Sequence, residues 1–333
     1  MTHERTRPQV LQVMTGAWSG QAVYVAAKLG IADMLVNGPR SVDDLAAEAG
    51  VHATALYRIL RALAGLGIFR VEENRTVELT PLAEPLATDH PDSMRQFAIM
   101  VNEEMYEAFG SLLATVRTGR PAFEERFGMP VFAYFDTHPQ AAATLHRAMN
   151  DWSRWDTSDI VDAYDFSRFR KVVDVGGGNG AFLSALLAGC PDLSGVLLDR
   201  PQGIEAAHAG LGGPLPRCEL VVGDFLDEVP RGADLYVVKH VIDGWPDDGA
   251  ARILDNCRRA MADGGRVVVL DTVVEPGNDP SFSKWLDLLM MAATPGGLRR
   301  EADYFGLFAR AGLRLSRLEP ISESLTLVEG VAR

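Results

Sequence analysis

Residues 171–180 read KVVDVGGGNG, a β-branched run that breaks directly into glycines, and AFLSALLAG follows at 181–189. A strand, a glycine loop and a helix in that order bring backbone close to a nucleotide-like ligand at the carboxyl edge of a parallel sheet. Glycine is needed in such a loop because a side chain there would collide with the ligand. Downstream, the apolar runs GVLLD (195–199), ELVVGD (219–224), ADLYVVKH (233–240) and RVVVLDTVV (266–274) are separated by helical segments. Short β-branched runs alternating with helices predict an α/β unit, a mainly parallel sheet covered on both faces, over residues 166–333.

Upstream of the sheet the texture is helical. Residues 9–36 carry apolar positions at helical spacing with few charges on either face. A helix apolar nearly all round is buried, often against another subunit. SVDDLAAEAG (41–50) predicts a short helix with Ser41 as N-cap and Gly50 past its end. A second helix in 51–67 places Leu56, Ile59, Leu60 and Leu63 on one face, and 68–80 alternates as a hairpin turning near Asn74. Helix, helix and hairpin make a winged helix-turn-helix within 1–98. Residues 99–165 form a helical layer rich in Met and aromatics, broken at Pro121 and Pro130. Such a layer is either plain core or one wall of a pocket for a flat ligand. Met149, Trp152 and Trp155 are the candidate substrate-binding positions, with the two tryptophans three apart on one helix face.

Composition narrows the partners. The chain of 333 residues has a formal net charge of −13, with 47% apolar and 23% charged residues. That acidity argues against nucleic acid and against an anionic membrane, both of which need a basic surface. The second helix of the winged unit offers only Arg58 and Arg61 to phosphates, so a scaffold or dimer-forming role is expected over DNA binding. No apolar run reaches the roughly 20 residues of a bilayer span, and the N-terminus lacks a signal-peptide core. The three cysteines are far apart without a CxxC pair, so neither a disulfide framework nor a metal site is expected. A cytoplasmic protein is the expectation.

Gly176, Gly178 and Ala181 satisfy GxGxxA, which also fits a dinucleotide site. Two features separate the readings. Asp174, inside the first strand, suits a positively charged ligand better than a pyrophosphate. Asp224 and Phe225, ending the third run, supply an acceptor for an adenine amino group beside an apolar plane. Asp199, ending the second run, can hold ribose hydroxyls in either site. An acidic cleft of this kind suits S-adenosyl-L-methionine.

The ordered series DVGGGNG, VLLDRP, GDFLDEVP, ADLYVVKH…W, NCRRAMADGGRVVVLD and TPGGLRR resembles the S-adenosylmethionine-dependent small-molecule O-methyltransferases over nearly the whole chain. The resemblance implies a Rossmann-like methyltransferase domain preceded by a winged-helix dimerisation domain, hence a homodimer acting on a small aromatic substrate in secondary metabolism such as antibiotic biosynthesis. Within the family, QVMTGAWSGQAVYVAAKLGIADML and GDFLDEVP…NCRRAMADGGRVVV look similar to a bacterial phenazine N-methyltransferase. Carried over by position, Gly176 and Gly178 line the cofactor, Asp199 binds its ribose, and Asp224 and Phe225 meet its adenine. Lys239 lies along the same face, and Trp245 packs at the cofactor.

The catalytic positions depart from the pattern. Phenol-methylating members usually carry a histidine as general base two residues before the tryptophan, where this chain has Asp243. His240 lies three residues earlier. Of the two acids that steer the family's histidine, one maps to Asp271 and the other to Arg299. An ordinary aspartate near 4 facing a phenol near 10 is mismatched by about six units. Burial would raise Asp243, and Arg299 nearby would lower it again. Three readings follow: O-methylation with a weak or absent base, N-methylation of an aza-arene such as a phenazine with Arg299 pairing a substrate carboxylate, or a non-methylating reaction on the same scaffold.

Overall fold

The computed structural model describes residues 6–333 apart from 212, 214 and 323. It forms two compact units, Met1–Tyr106 with Ala143–Asp151, and Glu107–Ala142 with Trp152–Arg333.

In the first unit the helices Val42–Ala49 and Ala53–Ala64 lie in the chain between the strands of a small sheet in the order β1 (Arg40–Ser41), β3 (Thr76–Glu78), β2 (Arg70–Val71), with β1 before them and the hairpin β2–β3 after. The caps are those the sequence predicts. Ser41 Oγ accepts from the Asp44 N–H, and Gly50 closes the helix in the left-handed region. Leu56, Leu60 and Leu63 are fully buried, Ile59 packs partly buried beside them, and the hairpin turns through Asn74, whose Oδ1 accepts from the Thr76 N–H. The winged fold is as read. The N-terminal segment differs. The helix Thr6–Met14 buries no residue within the chain, and Val10, Leu11, Val13, Met14 and Trp18 are all more than half exposed.

The second unit is built on a seven-stranded sheet: β4 (Lys171–Val175), β5 (Ser194–Asp199), β6 (Cys218–Val222), β7 (Leu235–Lys239), β8 (Arg266–Asp271), β9 (Leu313–Pro320) and β10 (Thr326–Ala332). The order is β6-β5-β4-β7-β8-β10-β9. The first five named in that order run parallel, and β10 pairs antiparallel with both β8 and β9. Val172, Val173, Val175, Val237, Val238, Val267, Val268 and Val269 are all buried, as parallel strands covered on both faces require. Pro121 and Pro130 cap the helices Ala122–Phe127 and Val131–Thr137, where the missing N–H costs nothing. The helix Pro139–Ala163 follows. No helix is long and apolar enough to cross a membrane among the described residues. Cys257 is buried, Cys190 and Cys218 half-buried, and all three are free thiols.

One polar knot holds the antiparallel edge to the rest. Glu329 of β10, 5% exposed, accepts from Tyr164 at 2.5 Å, Arg168 at 2.9 Å, Arg266 at 2.8 Å and Ser316 at 2.7 Å. Burial pushes its pKa up, but these four partners outweigh burial and hold the carboxyl below its ordinary value. A depressed carboxyl stabilises the fold above its unfolded pKa and loses that contribution as pH falls through the folded value. Glu329→Gln is expected to cost about 2 kcal/mol at neutral pH, discounted because the two arginines reach solvent. Urea midpoints of wild type and variant should begin to converge as pH falls past about 4, near the ordinary pKa of a glutamate, and meet below the lowered folded value.

Candidate active site

The strand order reverses at β4, with β5 on one side and β7 on the other, so a crevice opens beyond their carboxyl ends. The glycine loop lies there. Gly176, Gly178 and Gly180 all have left-handed φ, at 74°, 57° and 74°. A Cβ on Gly176 would lie 2.8 Å from Val241 Cγ2 and 3.4 Å from Phe225 Cε1, whereas one on Gly178 would meet nothing within 4 Å and would fill open space. Beneath the loop sits Asp174, 1% exposed. A Cβ on Gly177 would run into its Oδ2, and that oxygen makes no hydrogen bond among the described residues. Burial pushes Asp174 up to about 7, with the Lys239 charge pulling it down and Asp199 pushing it further up. An unsatisfied buried carboxyl is costly, and a cationic ligand above it would relieve that cost.

The neighbouring acids are fixed by backbone. Asp199 accepts from the N–H of Gly178 and of Arg200, each at 2.7 Å. Asp224 is exposed, and its Oδ1 accepts from the Leu226 N–H at 2.8 Å. Asn256 donates to the Phe225 carbonyl at 2.8 Å and to that of Leu226 at 3.0 Å, pinning the same turn. The rings of Phe225 and Trp245 meet edge to face at 6.0 Å. Open glycine backbone, an orphaned buried carboxyl, and acids at the ends of β5 and β6 together fit S-adenosylmethionine. Asp174 could face its positive charge, Asp199 its ribose, and Asp224 with Phe225 its adenine.

A second polar group begins where β7 ends. Lys239 is almost wholly buried. Its ammonium donates to Ser153 Oγ at 3.2 Å and lies 3.7 Å from Asp156 Oδ2. His240 takes a left-handed backbone, φ 51°, while its N–H bonds the Leu270 carbonyl at 3.0 Å. Its ring bridges two acids, with Nε2 3.0 Å from Asp156 Oδ2 and Nδ1 3.8 Å from Asp271 Oδ1. Burial and Lys239 push the imidazole pKa down, but the bonds to Asp156 and Asp271 outweigh them and leave it raised. Asp243 sits in the short turn Ile242–Gly244. One side-chain atom from each of His240, Asp243 and Asp271 lies within 4.8 Å of the others. Burial first, then the Asp271 charge, push Asp243 up to about 7, against His240, the Gly244 N–H and Arg299. The mismatch with a phenol is therefore about three units, where an ordinary aspartate would give about six.

Arg299 lies near enough to Asp243 to lower its pKa, as the sequence implies. It is 6% exposed, and its three nitrogens donate to Asp247 Oδ1 at 3.0 Å and to the carbonyls of Ile242 at 2.8 Å and Trp245 at 2.9 Å. The guanidinium braces the Asp243 turn, with one N–H of each nitrogen spent within the protein. The preceding glycines serve the same turn. The Gly297 N–H bonds the Asp243 carbonyl at 2.7 Å, and a Cβ on Gly296 would collide with that oxygen. Trp152 is buried, with its ring 5.5 Å from Trp155, 5.8 Å from Phe282 and 6.3 Å from His240. The indole N–H of Trp155 has no partner among the described residues. Met149 falls in the first unit and is exposed. Sequence reasoning missed Asp156, Ser153, Asn256 and Gly296. For the first two a signal existed, because Trp152, Ser153, Asp156 and Ile160 follow helical spacing and mark one face.

Residues 109–314 match the O-methyltransferase domain family, and residues 11–89 its dimerisation domain. The phenazine O-methyltransferase of Lysobacter antibioticus is 42% identical over 96% of this chain and 94% of its own length. The phenazine-1-carboxylate N-methyltransferase of Pseudomonas aeruginosa is 33% identical over 93% of this chain and 92% of its own. Among solved structures, an O-methyltransferase from neocarzinostatin biosynthesis, in complex with S-adenosylmethionine and 2-hydroxy-5-methyl naphthoic acid, superposes with a TM-score of 0.82 at 35% identity, covering 94% of this chain and 96% of that one.

Asp199→Ala removes the acid at the end of β5 and frees the Gly178 N–H. Calorimetric titration with S-adenosylhomocysteine is expected to show affinity weakened by about tenfold or more, the usual effect of losing a hydrogen bond to a charged group. Unchanged affinity would place the ribose elsewhere. Gly296→Ala forces the Asp243 turn to move, and its melting temperature should fall while affinity for the same ligand is kept.

Proposed function

The chain belongs to the S-adenosylmethionine-dependent O-methyltransferases that carry a dimerisation domain, and from that premise we propose that it methylates an acidified hydroxyl on a small, flat, electron-poor aromatic metabolite. Asp243 receives the hydroxyl proton. The observation that carries this reading is the grouping of Asp243, Asp271 and His240 within 4.8 Å, beside a glycine cradle suited to the cofactor. When bound, S-adenosylmethionine supplies an electrophilic methyl on sulfur and leaves as the thioether. The acceptor oxygen gains the O–C bond, its hydrogen goes to Asp243, and the aligned approach of oxygen and methyl supplies most of the rate.

A carboxyl pushed to about 7 is a weak base toward an ordinary phenol near 10 and a matched one toward a hydroxyl acidified by a ring nitrogen, an N-oxide or a neighbouring carbonyl. The phenazine acted on by the 42% identical relative is such an electron-poor ring. Each nitrogen of Arg299 already donates within the protein, and the reading does not depend on a carboxylate on the acceptor. Support for an indole wall to the acceptor site comes from the contacts of Trp152 with His240 and Phe282.

The exposed apolar side chains Val10, Leu11, Val13, Met14 and Trp18, most of them within the matched dimerisation domain, support a homodimer that covers them. Against nucleic acid, Arg61 and Arg75 are both drawn over the Tyr57 ring, at 5.4 and 5.0 Å. Light scattering is expected to give twice the chain mass for wild type, and half of that for Val13→Glu combined with Trp18→Glu.

Incubation with S-adenosylmethionine and a panel of hydroxylated phenazines, quinones and naphthoates is expected to yield O-methyl products and S-adenosylhomocysteine. A panel turned over only at ring nitrogen, or converted without S-adenosylhomocysteine, would overturn the reading. The single-turnover rate should rise with pH through about 7 and then level off, because the base must be ionised. Asp243→Asn should lower that rate about 100-fold or more and abolish the limb.

A further inference from the structure

Asp156 belongs to the helix Pro139–Ala163, and its carboxyl is 4% exposed. No family position or sequence motif brought it into the site. Its Oδ2 is shared by two cationic groups, Nε2 of His240 at 3.0 Å and Nζ of Lys239 at 3.7 Å. One turn earlier on the same helix, Ser153 receives the same ammonium at 3.2 Å. The helix therefore reaches the ends of both residues that β7 releases. His240 pays for its place with a left-handed backbone, which a non-glycine residue adopts only where its surroundings hold it. The Asp156 bond supplies that hold and aims the other ring nitrogen at Asp271, 3.8 Å away.

We propose that Asp156 is a positioning residue that fixes His240 as a cation beside Asp243 and thereby sets the pH at which Asp243 can accept the acceptor's proton. The link to turnover rests on the function proposed above. The link between the side chains does not.

The charges facing Asp243 make the case. Asp271 comes from the end of β8, His240 and Lys239 from the end of β7, Arg299 from the loop before the last helix, Tyr304 from that helix, and Asp156 from the helix Pro139–Ala163. Asp174 of β4 acts on Lys239 from the cofactor side. Arg299 is balanced by Asp247 at 2.9 Å. Lys239 and Asp156 face each other at 3.7 Å, which leaves Asp271 and Asp243 against the single cation His240. With Asp243 ionised this group carries one excess negative charge, and capture of a proton by Asp243 neutralises it. If His240 loses its proton, the excess doubles and Asp243 binds its proton more tightly. Asp156, which is not among the charges acting strongly on Asp243, controls Asp243 through the imidazole.

The test is made on the whole, ligand-free protein, so it needs no acceptor. Nitrogen-15 histidine and carbon-13 aspartate carboxyl resonances, assigned with His240→Gln and Asp243→Asn, are followed against pH. Asp156→Asn is expected to lower the His240 midpoint by about one unit or more, the usual effect of an opposite charge at this range, and to raise that of Asp243. Asp156→Glu should restore both in part. His240→Gln, which leaves Asp156 in place, should raise Asp243 alone, and covers the case in which Asp156→Asn does not fold. An unmoved Asp243 in His240→Gln overturns the proposal, as does an unmoved His240 in a folded Asp156→Asn. Where an acceptor is turned over, the acid limb of the methyl-transfer rate should follow the Asp243 midpoint upward. Absence of turnover in the panel would count against the proposed function, and the midpoints alone would then decide the role of Asp156.

Discussion

The ammonium of Lys239, at the last position of β7, is almost wholly removed from water, and burial pulls its pKa down against the acids around it. Asp174 lies toward the cofactor, Asp156 and Asp271 toward the acceptor. Each of these carboxyls is itself 4% exposed or less, and a buried carboxylate is costly without a nearby cation. A single lysine therefore holds both halves of the crevice in charge. Lys239 thus stands between the two halves, its charge acted on by Asp156 and Asp174 alike.

Much of the fold was legible because it depends on patterns local in sequence. β-branched runs and the glycine break at 176–180 are enough to require a parallel sheet with a ligand at its edge, and Ser41 with Gly50 bound a helix by capping chemistry alone. The acids at the strand ends were legible for the same reason, since strand ends are found by reading where each apolar run stops. The acceptor side was not. Asp156 reaches His240 across 84 positions, and nothing in its own helix says which strand end it will meet. How Arg299 braces that site was not legible for a related reason. Its position in the family pattern marks a place beside the base, but the side chain's three nitrogens are claimed by the carbonyls and the acid of the turn that carries Asp243. Gly296 is needed only because that turn passes against it, a closeness between segments more than fifty residues apart.

The exchange of a histidine for Asp243 reads differently once the surroundings are known. An imidazole begins near neutral pKa and needs only orientation, whereas a carboxylate must be brought there. Here burial makes the larger part of that shift and Asp271 the next, and both act because water is excluded. Asp243 is half-buried in the free protein, so an acceptor that covers it removes the water still in reach and strengthens the base further. On the proposed function the carboxyl would gain proton affinity with the acceptor in place, and His240 would limit how far that gain goes. A base built in this way favours acceptors flat and apolar enough to exclude water from Asp243 and acidic enough to yield a proton to a carboxylate.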